Sequence, residues 1–160
     1  METVYLQLGS NLGDRAAWMH QAIELIGQQF GEIKLKSSVY ETAAWGVQNQ
    51  QNFLNQVIQI HTTLTPIQVL QQCQAIETEL GRTRTEHWGA RTMDIDILFI
   101  SDKIIDQAPQ LIVPHPYIAE RKFVLQPLEE IAPEFIHPIF KQSISQLLYL
   151  CKDQGEVRKI

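Results

Sequence analysis

The chain has 160 residues, 44% of them hydrophobic and 19% charged, with a net charge of −5 at pH 7. That length and balance predict one soluble domain, 1–160, with a real core, and the acidic total argues against a general nucleic-acid binder. Two cysteines, Cys73 and Cys151, lack metal or redox spacing, so neither a zinc site nor a disulfide framework is expected. No apolar run approaches the length of a membrane span and the N-terminus has no signal-peptide form, so no membrane partner and a cytoplasmic location are expected.

In chain order, residues 3–8 alternate loosely and predict a strand, followed by a glycine-rich turn at 9–13. Asp14 is placed to cap a helix running to about residue 27, with Trp18, Ala22, Ile23 and Ile26 inward. The turn lacks the Gly-Lys-Ser/Thr of a P-loop and the glycine pattern of a dinucleotide fold, which favours a plain tight turn. Residues 33–42 predict a second strand with Ile33, Leu35 and Val39 on one face, then a polar loop at 43–51 holding Trp45. Residues 52–62 predict a third strand: Phe53 and Asn55 share one face, Leu54, Ile58 and Ile60 the other. An aromatic and an amide side by side suit a flat heterocycle, although spacing alone equally allows a core Phe53 and a loop-capping Asn55.

Thr65-Pro66 opens a second helix, with Ile67, Leu70, Cys73, Ile76 and Leu80 as its apolar stripe and Gly81 as its stop. Gln74 and Glu77 lie one turn apart on its flank, where solvated positions are the commoner outcome. Residues 94–100 predict a fourth strand. A short hairpin around Pro109, a rigid turn at 114–117, a helix over 118–131 and another over 143–150 follow, and the last ten residues are expected to fray. The order strand–helix–strand–strand–helix–strand predicts an α+β, ferredoxin-like βαββαβ antiparallel sheet with helices on one face, plus the C-terminal hairpin and helices.

The most informative stretch is 81–100, GRTRTEHWGARTMDIDILFI. Arg82, Arg84 and Arg91 fall within ten residues, and Asp94 and Asp96 share a strand face roughly 6–7 Å apart. Carboxylates so placed repel unless a cation sits between them, and Mg²⁺ prefers carboxylate oxygens plus substrate phosphates. The arginine fork suits phosphate. Each half has an ordinary surface explanation; together they point to phosphoryl transfer from a nucleotide.

Five segments together resemble the 6-hydroxymethyl-7,8-dihydropterin pyrophosphokinase family: YLQLGSNLGDR at 5–15, SVYET at 38–42 with QQNFLN at 50–55, LGRTR at 80–84, WGARTMDIDIL at 88–98, and VPHP at 113–116 through RKFVLQPL at 121–128. The resemblance runs from about residue 3 to 135, and the Trp-Gly-x-Arg-Thr-x-Asp-x-Asp-Ile-Leu block is the most specific part. It implies a ferredoxin-like fold and transfer of pyrophosphate from MgATP to the pterin hydroxymethyl group, releasing AMP, in folate biosynthesis. It implies that Asp94 and Asp96 hold two Mg²⁺ ions, with Arg82 and Arg91 gripping the phosphates in catalysis. Phe53 and Phe123 would sandwich the pterin, and Asn55, with Thr42, Ala43 and Trp45, would read its edge. Gln74, Glu77, Arg84, Trp88, Ile97, His115, Tyr117 and Arg121 would line the ATP side. The partners implied are these two small molecules, on a monomer.

The sequence departs from the family pattern at His87, where arginine is usual, and at Ala43 and Ala90, where proline is frequent. Three other readings compete. In a nucleotidyltransferase the Gly-Ser and the acidic pair lie close in sequence, whereas Gly9-Ser10 and Asp94 are far apart here. A glycosyltransferase using Asp-x-Asp needs a larger nucleotide-sugar domain. A ferredoxin-like RNA binder wants aromatics and a basic sheet face where this chain has Asp94 and Asp96.

Overall fold

The computed structural model describes residues 1–43, 51–81 and 92–160. Strands β1 (Glu2–Ser10), β2 (Gly31–Lys36), β3 (Tyr40–Thr42), β4 (Phe53–Thr62) and β5 (Asp94–Ile100) form one sheet, with helix α1 (Arg15–Gln29) between β1 and β2 and α2 (Pro66–Glu79) between β4 and β5. The sheet runs β5-β1-β4, with β2 and β3 both on the far side of β4, and every pairing is antiparallel. This is the ferredoxin-like order, the expected second strand being present in two pieces.

The helices start where side chains can satisfy their free N–H groups. Asp14 accepts from the Ala17 N–H at 3.1 Å, and Thr65 and Gln68 form a reciprocal capping box around Pro66. Gly81 follows α2 at φ +92°, a conformation glycine adopts without strain. α1 buries Met19, Ala22 and Ile26, and α2 buries Val69, Cys73 and Ile76. The expected α2 stripe holds at Leu70, Cys73, Ile76 and Leu80 and departs at its first position, where Ile67 is exposed and Val69 points inward. Both helices cover the sheet face made by Val4, Leu6, Leu8, Ile58, Ile60 and Ile95.

Three boundaries differ from the sequence reading. Gly9 and Ser10 continue β1 rather than opening the turn, because both remain paired with β4. The strand expected over 33–42 breaks at Ser37, whose hydroxyl accepts from the Val57 N–H at 3.0 Å in place of a ladder carbonyl. A register shift between Ile33 and Leu35 turns Leu35 outward, so it does not share the face of Ile33. The helix expected over 118–131 is a 3-10 turn (Ile118–Glu120) and then α3 (Lys122–Ile131), separated by extended Arg121.

The C-terminal elements close the other sheet face. α3 and α4 (Ile144–Leu150) pack on Tyr5, Val57, Leu98 and Phe99. β6 (Ile105–Gln107) and β7 (Leu111–Val113) form the expected hairpin. The residues expected to fray do not: β8 (Arg158–Lys159) pairs with β3, and Arg158 bonds the Glu41 carboxylate at 2.6 Å. The open edge of β3 and the charge on Glu41 supply what the polar sequence of the tail did not advertise.

Candidate active site

The site is built on the sheet face opposite α1 and α2, at the end where β5 begins. β5 pairs with β1 so that Asp94 lies beside Gly9 and Asp96 beside Gln7. β1 in turn sets Gly9 beside Asn55, and β3 completes the row by setting Tyr40 beside Asn55 and Thr42 beside Phe53. Residues directly paired across antiparallel strands share a face. Asp94, Asp96, Gln7, Asn55, Phe53 and Thr42 therefore look out from the same side. Asp94 is half-buried and Asp96 exposed. Gly9 leaves a gap in that row; a Cβ there would lie 3.5 Å from Asn55 Oδ1 and 3.8 Å from the Phe53 ring. The glycine keeps an open floor between the carboxylates and the amide.

A buried chain of hydrogen bonds fixes the amide. Asn55 donates to Thr42 Oγ1 at 2.9 Å and accepts from the side-chain amide of Gln7 at 3.3 Å. Gln7 also donates to the Phe123 carbonyl at 3.2 Å. That carbonyl would normally accept from residue 127, which is proline and has no N–H. The helix therefore leaves an acceptor over the sheet, and Gln7 fills it. Gln7 Oε1 is itself buried with no hydrogen-bond partner among the described residues.

From Phe123 the site continues outward. The Arg121 guanidinium sits 5.6 Å from the Phe123 ring and 4.9 Å from the Tyr117 ring. Tyr117 packs edge-on against His115 at 5.8 Å, and its N–H donates to His115 Nδ1. The His115 main chain is tied to β5 through its N–H to the Leu98 carbonyl. Burial, with Arg121 adding to it, pulls the His115 pKa down to about 4, so the ring is neutral near pH 7 and free to accept at Nδ1.

Gln74, Glu77 and Ile97 lie on the other side of β5, against α2. Gln74 is exposed, while Ile97 is buried in the core beside α2. Glu77 is buried rather than solvated, and accepts from the Ile95 N–H at 2.9 Å. Among the described strands β1 alone pairs with the N-terminal half of β5, and Glu77 satisfies a backbone donor between the two aspartates. The carboxylate thus anchors the strand that carries them.

The structure brings Thr42, Phe53, Asn55, Asp94, Asp96 and Phe123 to one place, with His115, Tyr117 and Arg121 adjoining, and exposed Ala43 follows β3 at its rim. Trp45, Arg82, Arg84, His87, Trp88, Ala90 and Arg91 lie outside the described residues. Sequence reasoning missed Gln7 and the buried anchor role of Glu77; the proline four residues after Phe123 was the available signal for the first. Among the described residues no group of three or more His, Cys, Asp or Glu side chains is placed to cage a metal. Two carboxylates on one face are instead the donor set of a Mg²⁺ that completes its shell with waters and substrate phosphates, so the residues present fit that ion.

A family model described as 7,8-dihydro-6-hydroxymethylpterin-pyrophosphokinase matches residues 5–133. The chain is 45% identical over 146 residues to a 2-amino-4-hydroxy-6-hydroxymethyldihydropteridine pyrophosphokinase of Aquifex aeolicus, covering 91% of this chain and 90% of that one. It is 47% identical over 131 residues to the Bacillus subtilis protein of the same name, covering 81% and 78%. Among solved structures, wild-type Plasmodium falciparum HPPK-DHPS superimposes with a TM-score of 0.74 at 17% identity, over 92% of this chain and 44% of that one. The same protein with pteroate gives 0.74 at 18%, over 92% and 42%. The chain thus spans less than half of those longer proteins, and at that identity the likeness concerns the fold.

Proposed function

Because the chain belongs to the 7,8-dihydro-6-hydroxymethylpterin-pyrophosphokinase family, we propose that its reaction takes place on the sheet face that carries Asp94, Asp96, Asn55 and Phe123. The reaction moves a pyrophosphoryl group from ATP to the hydroxymethyl group of the dihydropterin, a step of folate biosynthesis. The hydroxymethyl oxygen attacks the β-phosphorus, the bond from that phosphorus to the oxygen bridging it to the α-phosphate breaks, and AMP leaves with that oxygen. The hydroxyl proton is released.

The observation that carries this assignment is the shared row Asp94–Gly9–Asn55, with an open floor between carboxylate and amide. Phe53 and Phe123 hold the flat ring from two elements, and Asn55, oriented by Gln7 and Thr42, reads its edge. Thr42, Ala43 and Trp45 complete that edge. Asp94 and Asp96 hold two Mg²⁺ ions, which when bound neutralise phosphate charge and lower the pKa of a bound hydroxyl. Neutral His115, with Tyr117 and Arg121, faces the ATP side of the site, and Gln74, Glu77 and Ile97 border it across β5. Arg82, Arg84, Trp88 and Arg91 act on the polyphosphate and the nucleotide. Arginines that meet charge developing in transfer raise kcat more than they lower KM.

The domain works as one unit, 1–160, as a monomer in the cytoplasm. No helix among the described residues is long and apolar enough to cross a membrane. The test is product identity with ATP, Mg²⁺ and the hydroxymethyl dihydropterin. AMP and the pterin diphosphate in equal amounts support the assignment; ADP, or no pterin product, refutes it.

A further inference from the structure

Residues 153–158 carry contacts that no role described so far explains. α3 has no side chain of its own at its N-terminus to satisfy the first N–H groups. Asp153 supplies one from the tail: its Oδ2 accepts from the Lys122 N–H at 3.1 Å, while its Oδ1 accepts from the Gly155 N–H at 2.8 Å. A carboxylate at that position also complements the helix dipole. Lys122 is the residue before Phe123, so the tail is bonded to the backbone that aims the ring.

The same segment encloses space. A pocket of about 180 Å³ lies between Thr42, Ala43 and Phe123 on one side and Asp153, Glu156 and Arg158 on the other. The tail is held there by an independent clamp. Glu41 accepts from Arg158 at 2.6 Å and from Arg15 at 2.9 Å, and Arg15 also donates to the Asn52 carbonyl at 2.8 Å. Clamp, helix cap and strand pairing all act on elements that flank Phe53, Thr42 and Phe123.

We propose that residues 153–158 form the outer wall of the pterin subsite, and that Asp153 is a positioning residue that sets Phe123 against the acceptor ring. This rests on the assignment of Phe123 to the pterin. The wall tunes how well the acceptor is bound and has no part in gripping ATP.

The experiment is steady-state kinetics on the full chain with Asp153→Ala, Asp153→Asn and Arg158→Ala, varying pterin and ATP separately. Asp153→Ala raises KM for the pterin about fivefold or more, with KM for ATP and kcat within about twofold, since the charged acceptor on the Lys122 N–H beside Phe123 is lost while the ATP side is untouched. Asp153→Asn, which keeps one acceptor oxygen, falls between Asp153→Ala and the unaltered chain. Arg158→Ala, at a largely exposed side chain, shows the same selective rise at smaller size and serves should Asp153→Ala fail to fold. Unchanged pterin KM, or parallel changes in both KM values and kcat, overturns the proposal. Transfer by the unaltered chain is the control: its absence refutes the pterin assignment itself, whereas normal transfer with indifferent variants refutes only the wall.

Discussion

Gln7 and Phe123 are joined by a hydrogen bond that exists because Pro127 cannot make one. The Phe123 carbonyl, left without a helical donor, accepts from the Gln7 amide at 3.2 Å, and the same amide holds Asn55 at 3.3 Å. One side chain of β1 thereby ties the ring on α3 to the amide on β4.

Replacing Gln7 by Leu keeps the volume and removes both bonds. The stranded acceptors cost about 1–3 kcal/mol in stability, read by urea unfolding. Asn55 loses its orientation, so KM for the pterin rises roughly tenfold, equivalent to about 1.4 kcal/mol, while KM for ATP holds. Equal rises in both KM values would show that Gln7 serves the fold alone.

Glu77→Ala removes the partner of the Ile95 N–H between the two aspartates. The expected loss is about 1–3 kcal/mol in denaturant unfolding, because a buried backbone donor is left unpaired. Glu77→Gln keeps an acceptor oxygen and recovers a large part of it. If Gln behaves as badly as Ala, the charge rather than the hydrogen bond holds β5.

His115 contributes one part of the pH dependence of stability. Its folded pKa, about 4, lies below the ordinary histidine value of 6.5, chiefly through burial and then through Arg121. Between those values the unfolded chain binds a proton that the folded chain refuses. The His115 contribution to stability is therefore greatest above pH 6.5, falls as pH drops from 6.5 to 4, and changes no further below. Thermal unfolding followed over pH 3.5–8 has a shallower slope in that window for His115→Gln; an unchanged slope assigns the effect to other groups.

Much of this architecture was legible because local signals and global pattern agreed. Asp14, Thr65-Pro66 and Gly81 punctuate the helices by satisfying or terminating backbone hydrogen bonding. Alternation in 52–62 puts Phe53 and Asn55 opposite Leu54 and Ile58, as the strand pairing has them. What escaped depends on partners distant in sequence. Ser37 breaks a strand only because Val57 is there to bond it. Residues 153–159 read as loose until β3 offers an edge and Glu41 a charge. Glu77 has the spacing of a solvated position, and its burial goes with the bond it accepts from the Ile95 N–H, a partner far away in sequence. In the site, the Asp94–Asp96 pair and the arginines spoke for phosphate and metal, but the acceptor came from family resemblance, since ring recognition by Phe53, Asn55 and Phe123 assembles from three separate elements.

The central claim is that Asp94 and Asp96 support pyrophosphoryl transfer on this sheet face. It is tested most directly by following AMP formation, with ATP, Mg²⁺ and hydroxymethyl dihydropterin, for the unaltered chain, Asp94→Ala and Asp96→Ala, with circular dichroism on each. The account predicts AMP and pterin diphosphate in equal amounts from the unaltered chain. From either variant it predicts a fall of at least about 10³-fold with the fold intact, as loss of about 4 kcal/mol of transition-state stabilisation requires. Near-normal AMP release from either variant would contradict it.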